Sequence, residues 1–302
     1  MVKRHDESHG MSQNTTPDPL RPLFARHPRH WRDNRYVYPV ISRRSGGLSI
    51  GGNLNPDKAC NFDCVYCQVD RRTPPTVRTV DPDVLGGELE NMVRQALSGE
   101  LFEDPLFSDV PAAYRRIQDI AFSGDGEPTI SPQFPNAVHI AAEVRRTYQL
   151  SDVKLLLLTD AAYLNKPAVR DALAEMDANN GEIWAKLDAG TEEYFRRINR
   201  PNVSLQTVLD NILDTARVRP IMIQSLWMNV EGEPPPQAEI EAFARRLSSM
   251  IAEGARFKLV QIYTIARPPA ESFVSPLDHE ELEAVADTIR ALVDVPLETY
   301  GG

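Results

Sequence analysis

The sequence predicts an α/β protein whose parallel strands form a partial (β/α)6 barrel. Two observations carry this prediction. Six short apolar runs have the composition of buried strands, and the stretches between them repeat apolar residues at helical spacing. Strands that alternate with helices form right-handed β-α-β units and therefore a parallel sheet. Six units are too few for the complete eight-fold barrel, so the sheet either closes in part or stays open.

The predicted elements follow one another along most of the chain. The strands are Leu48–Leu54, Ile117–Phe122, Val153–Leu158, Ile183–Leu187, Ile221–Met228 and Phe257–Thr264, with a short seventh at Pro296–Tyr300. The helices carry their apolar residues within Leu85–Ala96, Val138–Tyr148, Val169–Met176, Leu205–Ala216, Ile240–Ile251 and Leu282–Leu292. Asp81-Pro82 begins the first helix and Gly99 ends it. Asp278 and Glu281 have the spacing of a capping box at the last helix.

Charge divides the chain into two parts. Residues 1–44 hold nine Lys or Arg and four Asp or Glu, a net charge of +5, whereas the net charge of the whole chain is −10. We predict a basic, flexible N-terminal arm over 1–44 and a core domain over 45–302 that contains the C-terminal helix. The arm either contacts an anion or a nucleic acid, or lies solvated on the acidic body. That acidic body argues against a broad phosphate-binding surface.

Composition also limits the setting of the protein. A hydrophobic content of 42% allows a buried core, yet no apolar run reaches the ~18 residues of a membrane span. The first residues lack the apolar stretch of a secretory signal, and three cysteines are too few for a disulfide framework. The expected location is therefore the reducing cytoplasm, without a membrane partner.

All three cysteines fall within the segment Cys60-Asn61-Phe62-Asp63-Cys64-Val65-Tyr66-Cys67, with the spacing C-x3-C-x2-C. Cysteines buried in a core do not need this spacing. A structural zinc ion requires a fourth ligand, and no nearby Cys or His supplies one. A redox pair of Cys64 and Cys67 leaves Cys60 unexplained. An iron–sulfur cube accounts for all three thiolates and leaves one iron open to a small molecule.

This segment resembles the radical SAM superfamily, whose motif is C-x3-C-x-aromatic-C, with Tyr66 as the aromatic residue. The resemblance implies that Cys60, Cys64 and Cys67 hold a [4Fe–4S] cluster and that S-adenosylmethionine binds its open iron. It implies reductive cleavage of that cofactor and abstraction of a hydrogen atom from substrate. A reducing protein such as flavodoxin or ferredoxin is the implied electron donor. The chemistry would be of the oxidoreductase or transferase type.

A glycine-rich element follows the second predicted strand. Its sequence is Ser123-Gly124-Asp125-Gly126-Glu127-Pro128, and it resembles the G-G-E-P element of the superfamily. Glycines allow backbone to approach a ligand closely, and the resemblance implies that Glu127 binds the methionyl amino group of the cofactor. The alternative is an ordinary Gly-Asp-Gly turn. The cofactor-binding residues implied in this way are Tyr66, Ser123, Gly124, Asp125, Gly126, Glu127, Thr159 and Asp188.

Lys186 is the candidate catalytic residue. Side chains alternate along a strand, so Trp184, Lys186 and Asp188 share the face opposite Ile183 and Ala185. Because helices cover the outside of such a barrel, the lysine and the aspartate are expected in the lumen. Lys186 either forms a structural ion pair there or binds an anionic part of the substrate or cofactor. Schiff-base chemistry is a third alternative.

The narrower resemblance is to radical SAM proteins related to the tRNA wybutosine-synthesis enzymes. Those enzymes carry a second cluster on further cysteines, and no cysteine remains here to hold one. We therefore expect single-cluster radical chemistry on an unidentified substrate, a small molecule rather than RNA. A non-enzymatic iron–sulfur sensor or electron-transfer protein is the alternative, and RNA binding through the basic arm is a third.

Overall fold

The centre of the structure is an eight-stranded sheet with helices against its outer face. A computed structural model describes residues 23–24, 31–269 and 271–301. The strands are β1 Val37–Ser42, β2 Gly47–Gly52, β3 Ile117–Phe122, β4 Lys154–Thr159, β5 Gly181–Lys186, β6 Ile221–Leu226, β7 Met228–Val230, β8 Phe257–Tyr263, β9 Val274–Pro276 and β10 Leu297–Tyr300. The helices are α1 Pro82–Ser98, α2 Phe134–Thr147, α3 Pro167–Asp177, α4 Glu192–Asn199, α5 Leu205–Val218, α6 Gln237–Ala252 and α7 His279–Arg290.

The strand order of the large sheet is β1-β2-β3-β4-β5-β6-β8-β10. From β2 to β10 every neighbouring pair is parallel, while β1 runs antiparallel to β2. The short strands β7 and β9 pair with each other outside this sheet. Helices connect the successive parallel strands, and the predicted α/β class with its parallel strands is confirmed.

The predicted helix ends also agree with the structure. The side chain of Asp81 caps α1 by accepting from the backbone N–H of Asp83 and Val84, and Gly99 ends the helix in the left-handed conformation with φ 85°. Asp278 and Glu281 form the capping box of α7. Helix α4 was not predicted, because it is too short to show a repeat of apolar residues at helical spacing.

Strand β1 is the main element that the sequence did not predict. Pro39 interrupts the run, and a proline without an N–H fits only an edge strand or a bulge. Here β1 is the edge strand, and the carboxylate of Glu88 on α1 accepts hydrogen bonds from the backbone N–H of Arg35, Tyr36 and Val37. The boundary predicted at residues 44 and 45 falls in the turn between β1 and β2, so the part of the predicted arm from Trp31 onward belongs to the core. The rest of that arm lies outside the described residues, apart from residues 23–24.

The turn between β1 and β2 also joins the two edges of the sheet. Strands β1 and β10 stand at opposite ends of the strand order and are not paired in the described part of the chain. Arg43 in the turn donates to the carbonyl oxygen of Gly301 at 2.7 Å, and its guanidinium carbon is 5.4 Å from the ring centroid of Tyr300. The sheet therefore curls into a partial barrel whose gap is spanned by side chains.

The barrel interior is distinct from the main core. Ala121, Leu156, Trp184 and Met222 form a small buried apolar cluster of their own. The large cluster, which includes Ile183 and Ala185, packs between the sheet and the helices. Among the described residues, no helix is long and apolar enough to cross a membrane.

Candidate active site

The candidate site residues meet at the end of the barrel where the parallel strands finish. The cysteine segment follows β2, the glycine-rich element follows β3, and Thr159 ends β4. Lys186 ends β5, with Asp188 two residues on. Because the carboxyl ends of parallel strands share one edge of the sheet, residues far apart in sequence become neighbours there.

The three cysteines are free and half-buried. Burial raises the pKa of the Cys60 thiol to about 11, with a further contribution from the Asp160 carboxylate. Burial raises the pKa of the Cys64 thiol to about 12, helped by Asp188. The thiols of Cys60 and Cys67 act on Arg71 and raise its pKa against the effect of burial. Cys60 and Cys64 therefore need a positively charged partner if they are to be thiolates at neutral pH.

No three or more His, Cys, Asp or Glu side chains in the described ranges converge to hold a metal ion. A small cavity of about 180 Å³ lies beside the cysteine segment, with Cys64, Cys67 and Arg71 in its wall. Within the described ranges, the oxygen and the nitrogen of the Asn61 amide are both buried without a hydrogen-bonding partner. The metal ligands named from the sequence therefore stay a prediction.

The glycines of the glycine-rich element allow its loop to lie in close contact with the loop of the cysteine segment. A Cβ on Gly126 would lie 1.8 Å from the carbonyl oxygen of Ala59, and Gly124 has φ +147°. The backbone N–H of Glu127 donates to the same Ala59 oxygen at 3.2 Å. Asn53 fixes the other side, since its amide donates to Asp125 at 2.9 Å. Only glycine at position 126 allows this element to lie directly on the cysteine segment.

The remaining polar residue of the element, Ser123, lies beside the wall of the barrel. Its hydroxyl is 3.3 Å from the hydroxyl of Tyr38 on β1. The ring of Tyr38 covers Gly51, where a Cβ would come within 2.4 Å of it. Ser123 is thus tied to the edge strand that the sequence did not predict.

Glu127 is 3% exposed and is held by groups of the protein itself. Its Oε1 accepts from the N–H of Thr129 at 3.1 Å, the hydroxyl of Thr129 at 2.5 Å and the hydroxyl of Thr159 at 2.7 Å. Its Oε2 accepts from the N–H of Asp160 at 2.7 Å. Burial raises the pKa of this carboxyl in spite of these bonds. One lone-pair direction of Oε2 is left for a ligand.

Asp160 supplies the second carboxyl of this pocket. Its Oδ1 accepts from the N–H of Ala162 at 2.9 Å, while its Oδ2 is buried and has no hydrogen-bonding partner in the described part of the chain. Burial and the neighbouring charge of Glu127 raise its pKa well above the ordinary value. These two buried carboxyl groups form a site for a cation. A positive group would offset the cost of burying their charge and would give the unpartnered oxygen a hydrogen-bond donor.

A buried hydrogen-bond network connects the cysteine segment with the lumen. Tyr66 donates to Asp188 Oδ2, and the amide of Asn199 donates to the same oxygen at 2.8 Å. The same amide lies 3.4 Å from Cys64 Sγ. Asn199 ends helix α4 and was missed in the sequence, where nothing distinguishes it from a capping or surface asparagine.

Lys186 is held by two groups of the lumen. Its Nζ donates to the hydroxyl of Tyr263 at 2.7 Å and is 3.5 Å from Asp188 Oδ1. It also lies 4.9 Å from the ring centroid of Tyr66. Burial opposes its charge, but Asp188 and Tyr263 outweigh burial and raise its pKa. A raised pKa favours the ion pair and opposes a Schiff base, which needs a neutral amine.

The architecture is similar to that of Streptococcus suis SuiB. SuiB bound to S-adenosylmethionine aligns with a TM-score of 0.57 and 14% identity, covering 85% of this chain and 51% of that chain. SuiB bound to the precursor peptide SuiA gives a TM-score of 0.58 and covers 85% of this chain and 49% of that chain. This likeness concerns the fold alone.

Sequence comparison finds proteins whose names carry no activity. A UPF0026 protein of Methanocaldococcus jannaschii is 28% identical over 247 residues, covering 79% of this chain and 65% of that protein. A UPF0026 protein of Helicobacter pylori strain 26695 is 26% identical, covering 81% of this chain and 70% of that protein. No family model matches.

One similar protein has a different name. GTPase Obg of Brachyspira hyodysenteriae is 23% identical, and the match covers 98% of this chain but 39% of that protein. The present sequence contains no G-x4-G-K-[ST] phosphate-binding motif. The chain thus spans about half of SuiB and less than two thirds of two of the named relatives.

Proposed function

We propose that this chain is a radical SAM enzyme with one [4Fe–4S] cluster. The observation that carries the proposal is the position of half-buried Cys60 near the carboxyl of Asp160, whose Oδ2 has no hydrogen-bonding partner among the described residues. The cysteines would hold the cluster, which when bound with S-adenosylmethionine supplies a carbon radical that abstracts hydrogen. The reaction also needs a one-electron donor such as flavodoxin or ferredoxin, and we expect a small-molecule substrate.

The carboxyl pair of Glu127 and Asp160 would receive the ammonium group of the cofactor. Glu127 is oriented by four hydrogen bonds from Thr129, Thr159 and Asp160, so its Oε2 is fixed without the ligand. The pKa of both carboxyls is raised by burial, and a bound ammonium would lower both again because it favours the ionised form. In this proposal the ammonium group contacts Oδ2 of Asp160 and Oε2 of Glu127.

The other predicted residues would shape the pocket. Tyr66 and Asp188 are tied to each other and to Asn199, which fixes the segment around Cys64. Gly126 would hold the glycine-rich element against the cysteine segment, while Gly124 and Asp125 would hold it against Asn53. Lys186 would close the lumen below as a fixed cation paired with Asp188.

The experiment that tests the proposal is anaerobic reconstitution followed by titration with S-adenosylmethionine. We expect about four irons per chain in the native protein and their loss when Cys60, Cys64 or Cys67 is replaced by Ala. With dithionite, 5′-deoxyadenosine should form. Full iron content in any of these three variants would contradict the ligand assignment.

The carboxyl pair has its own test. Asp160→Asn should keep the iron content and weaken cofactor binding by about ten- to hundred-fold, as expected for a lost charge-assisted hydrogen bond. Asp152→Asn is the matched control, since that carboxylate is exposed and pairs with Arg116 at 3.2 Å. An iron–sulfur carrier or sensor has no use for this pocket, so a chain that binds iron but no cofactor would favour that alternative.

A further inference from the structure

The barrel lumen contains a second cavity, of about 290 Å³, away from the cysteine segment. It lies towards the end where the strands begin, with Lys154, Glu182 and Lys258 in its wall. Deeper in the lumen the wall is apolar and includes Leu156 and Trp184. None of the site residues predicted from the sequence lines it. Its volume is near the lower end of the range for small-molecule sites, about 300–1,000 Å³.

Arg44 enters this cavity through the gap of the partial barrel. It belongs to the turn between β1 and β2, which spans the two edges of the sheet. Its guanidinium carbon lies 5.1 Å from the ring centroid of Tyr263 and 5.6 Å from that of Trp184. Two aromatic rings thus hold the cation in the lumen.

The guanidinium group of Arg44 is not satisfied by the protein. Its Nη1 is buried and has no hydrogen-bonding partner among the residues that the structure describes. An unpartnered buried donor costs free energy, and more so when it is charged. By contrast, the neighbouring turn residue Arg43 donates a hydrogen bond to the carbonyl oxygen of Gly301.

The carboxylates in the cavity wall already have hydrogen-bonding or ion-pair partners within the protein. Glu182 accepts from Trp184 at 2.9 Å and pairs with Lys154 at 3.2 Å and Lys258 at 3.3 Å. The other two carboxylates in the wall accept from hydroxyl groups: Asp119 from Ser49, and Glu298 from Tyr300. Among the described residues of the cavity wall, Lys154 and Lys258 each have a carboxylate partner, whereas Arg44 contacts two aromatic rings and forms no ion pair.

We propose that the barrel lumen binds a small organic carboxylate, anchored on Arg44. The planar guanidinium matches a carboxylate through two parallel hydrogen bonds, and the apolar wall of Leu156, Trp184, Met222 and Leu259 fits an apolar body. The inference goes beyond the proposed radical chemistry and does not rest on it. It can be measured on the native chain without added S-adenosylmethionine.

The test uses benzoate as the probe and benzamide as its uncharged match. Isothermal titration of the native chain should give saturable binding of benzoate and none of benzamide at the same concentrations. Arg44→Gln should weaken benzoate binding at least tenfold, the loss expected for a charge-assisted pair. Arg146→Gln is the matched control, because it removes the same charge from an exposed side chain that neither lines the cavity nor belongs to this turn.

A second readout keeps the inference testable if Arg44→Gln does not fold. Benzoate should change the tryptophan fluorescence of the native chain, and Trp184→Phe should abolish that change while Trp31 and Trp227 remain. Equal binding to the native chain and to Arg44→Gln would overturn the inference, as would no saturable binding of benzoate. Binding of inorganic phosphate but not of benzoate would overturn the assignment of a carboxylate.

Discussion

Gly126→Ala should separate the two loops that form the candidate site. The new Cβ would lie 1.8 Å from the carbonyl oxygen of Ala59, whereas ordinary contacts begin at 3.4 Å, so one backbone must move by the 1.6 Å difference. Overpacking of this kind costs about 3 kcal/mol. The hydrogen bond from Glu127 N to the same oxygen, 3.2 Å long, adds about 1 kcal/mol when it is lost.

Thermal unfolding and iron content measure this effect. At roughly 2–4 °C per kcal/mol, a loss of about 4 kcal/mol lowers the Tm by about 8–16 °C. Because Ala59 precedes Cys60, we also expect a lower iron content after anaerobic reconstitution. The matched control is Gly87→Ala in helix α1, where nothing lies within 4 Å of the new Cβ. There the better helix propensity of alanine should stabilise by about 0.5–1 kcal/mol.

The reasoning would be refuted by a Gly126→Ala protein that melts with the native chain and reconstitutes with full iron. It would also be refuted if Gly87→Ala destabilised the chain to the same degree. A lower Tm with full iron content would show that the contact supports the fold without governing the cysteine segment.

Three further predictions concern buried polar groups. Lys186→Met should lower the free energy of unfolding by about 1–3 kcal/mol in denaturant titrations, because Asp188 keeps its other donors but loses its cation; unchanged stability would argue against the ion pair. Asn199→Ser should make the midpoint potential of the reconstituted cluster more negative in a potentiometric titration, since the N–H beside Cys64 Sγ stabilises the electron-rich state; an unmoved potential would exclude that role. Asp119 has a pKa raised by burial, so its ionisation destabilises the fold as the pH rises through that pKa. Asp119→Asn should therefore raise the Tm at pH 7 more than at pH 4, and an equal gain at both would count against the shift.

The sequence by itself determined the class of fold and where along the chain the parallel strands lie. Burial on both faces makes such strands continuous apolar runs, and their helices carry caps such as Asp81 and Gly99 that depend on a few adjacent residues. The same locality explains why the cysteine spacing was informative, because Cys60, Cys64 and Cys67 lie on one short loop.

Only the tertiary structure decided which distant residues complete these sites. Asn199 reaches Cys64 because helix α4 returns to the cysteine segment, and Arg44 enters the lumen because an unpredicted hairpin spans the gap of the sheet. Likewise, Asp160 is left with an unpartnered oxygen because two strand ends bring it next to Glu127. These arrangements depend on distances between residues far apart in sequence, and local propensity and periodicity do not encode such distances.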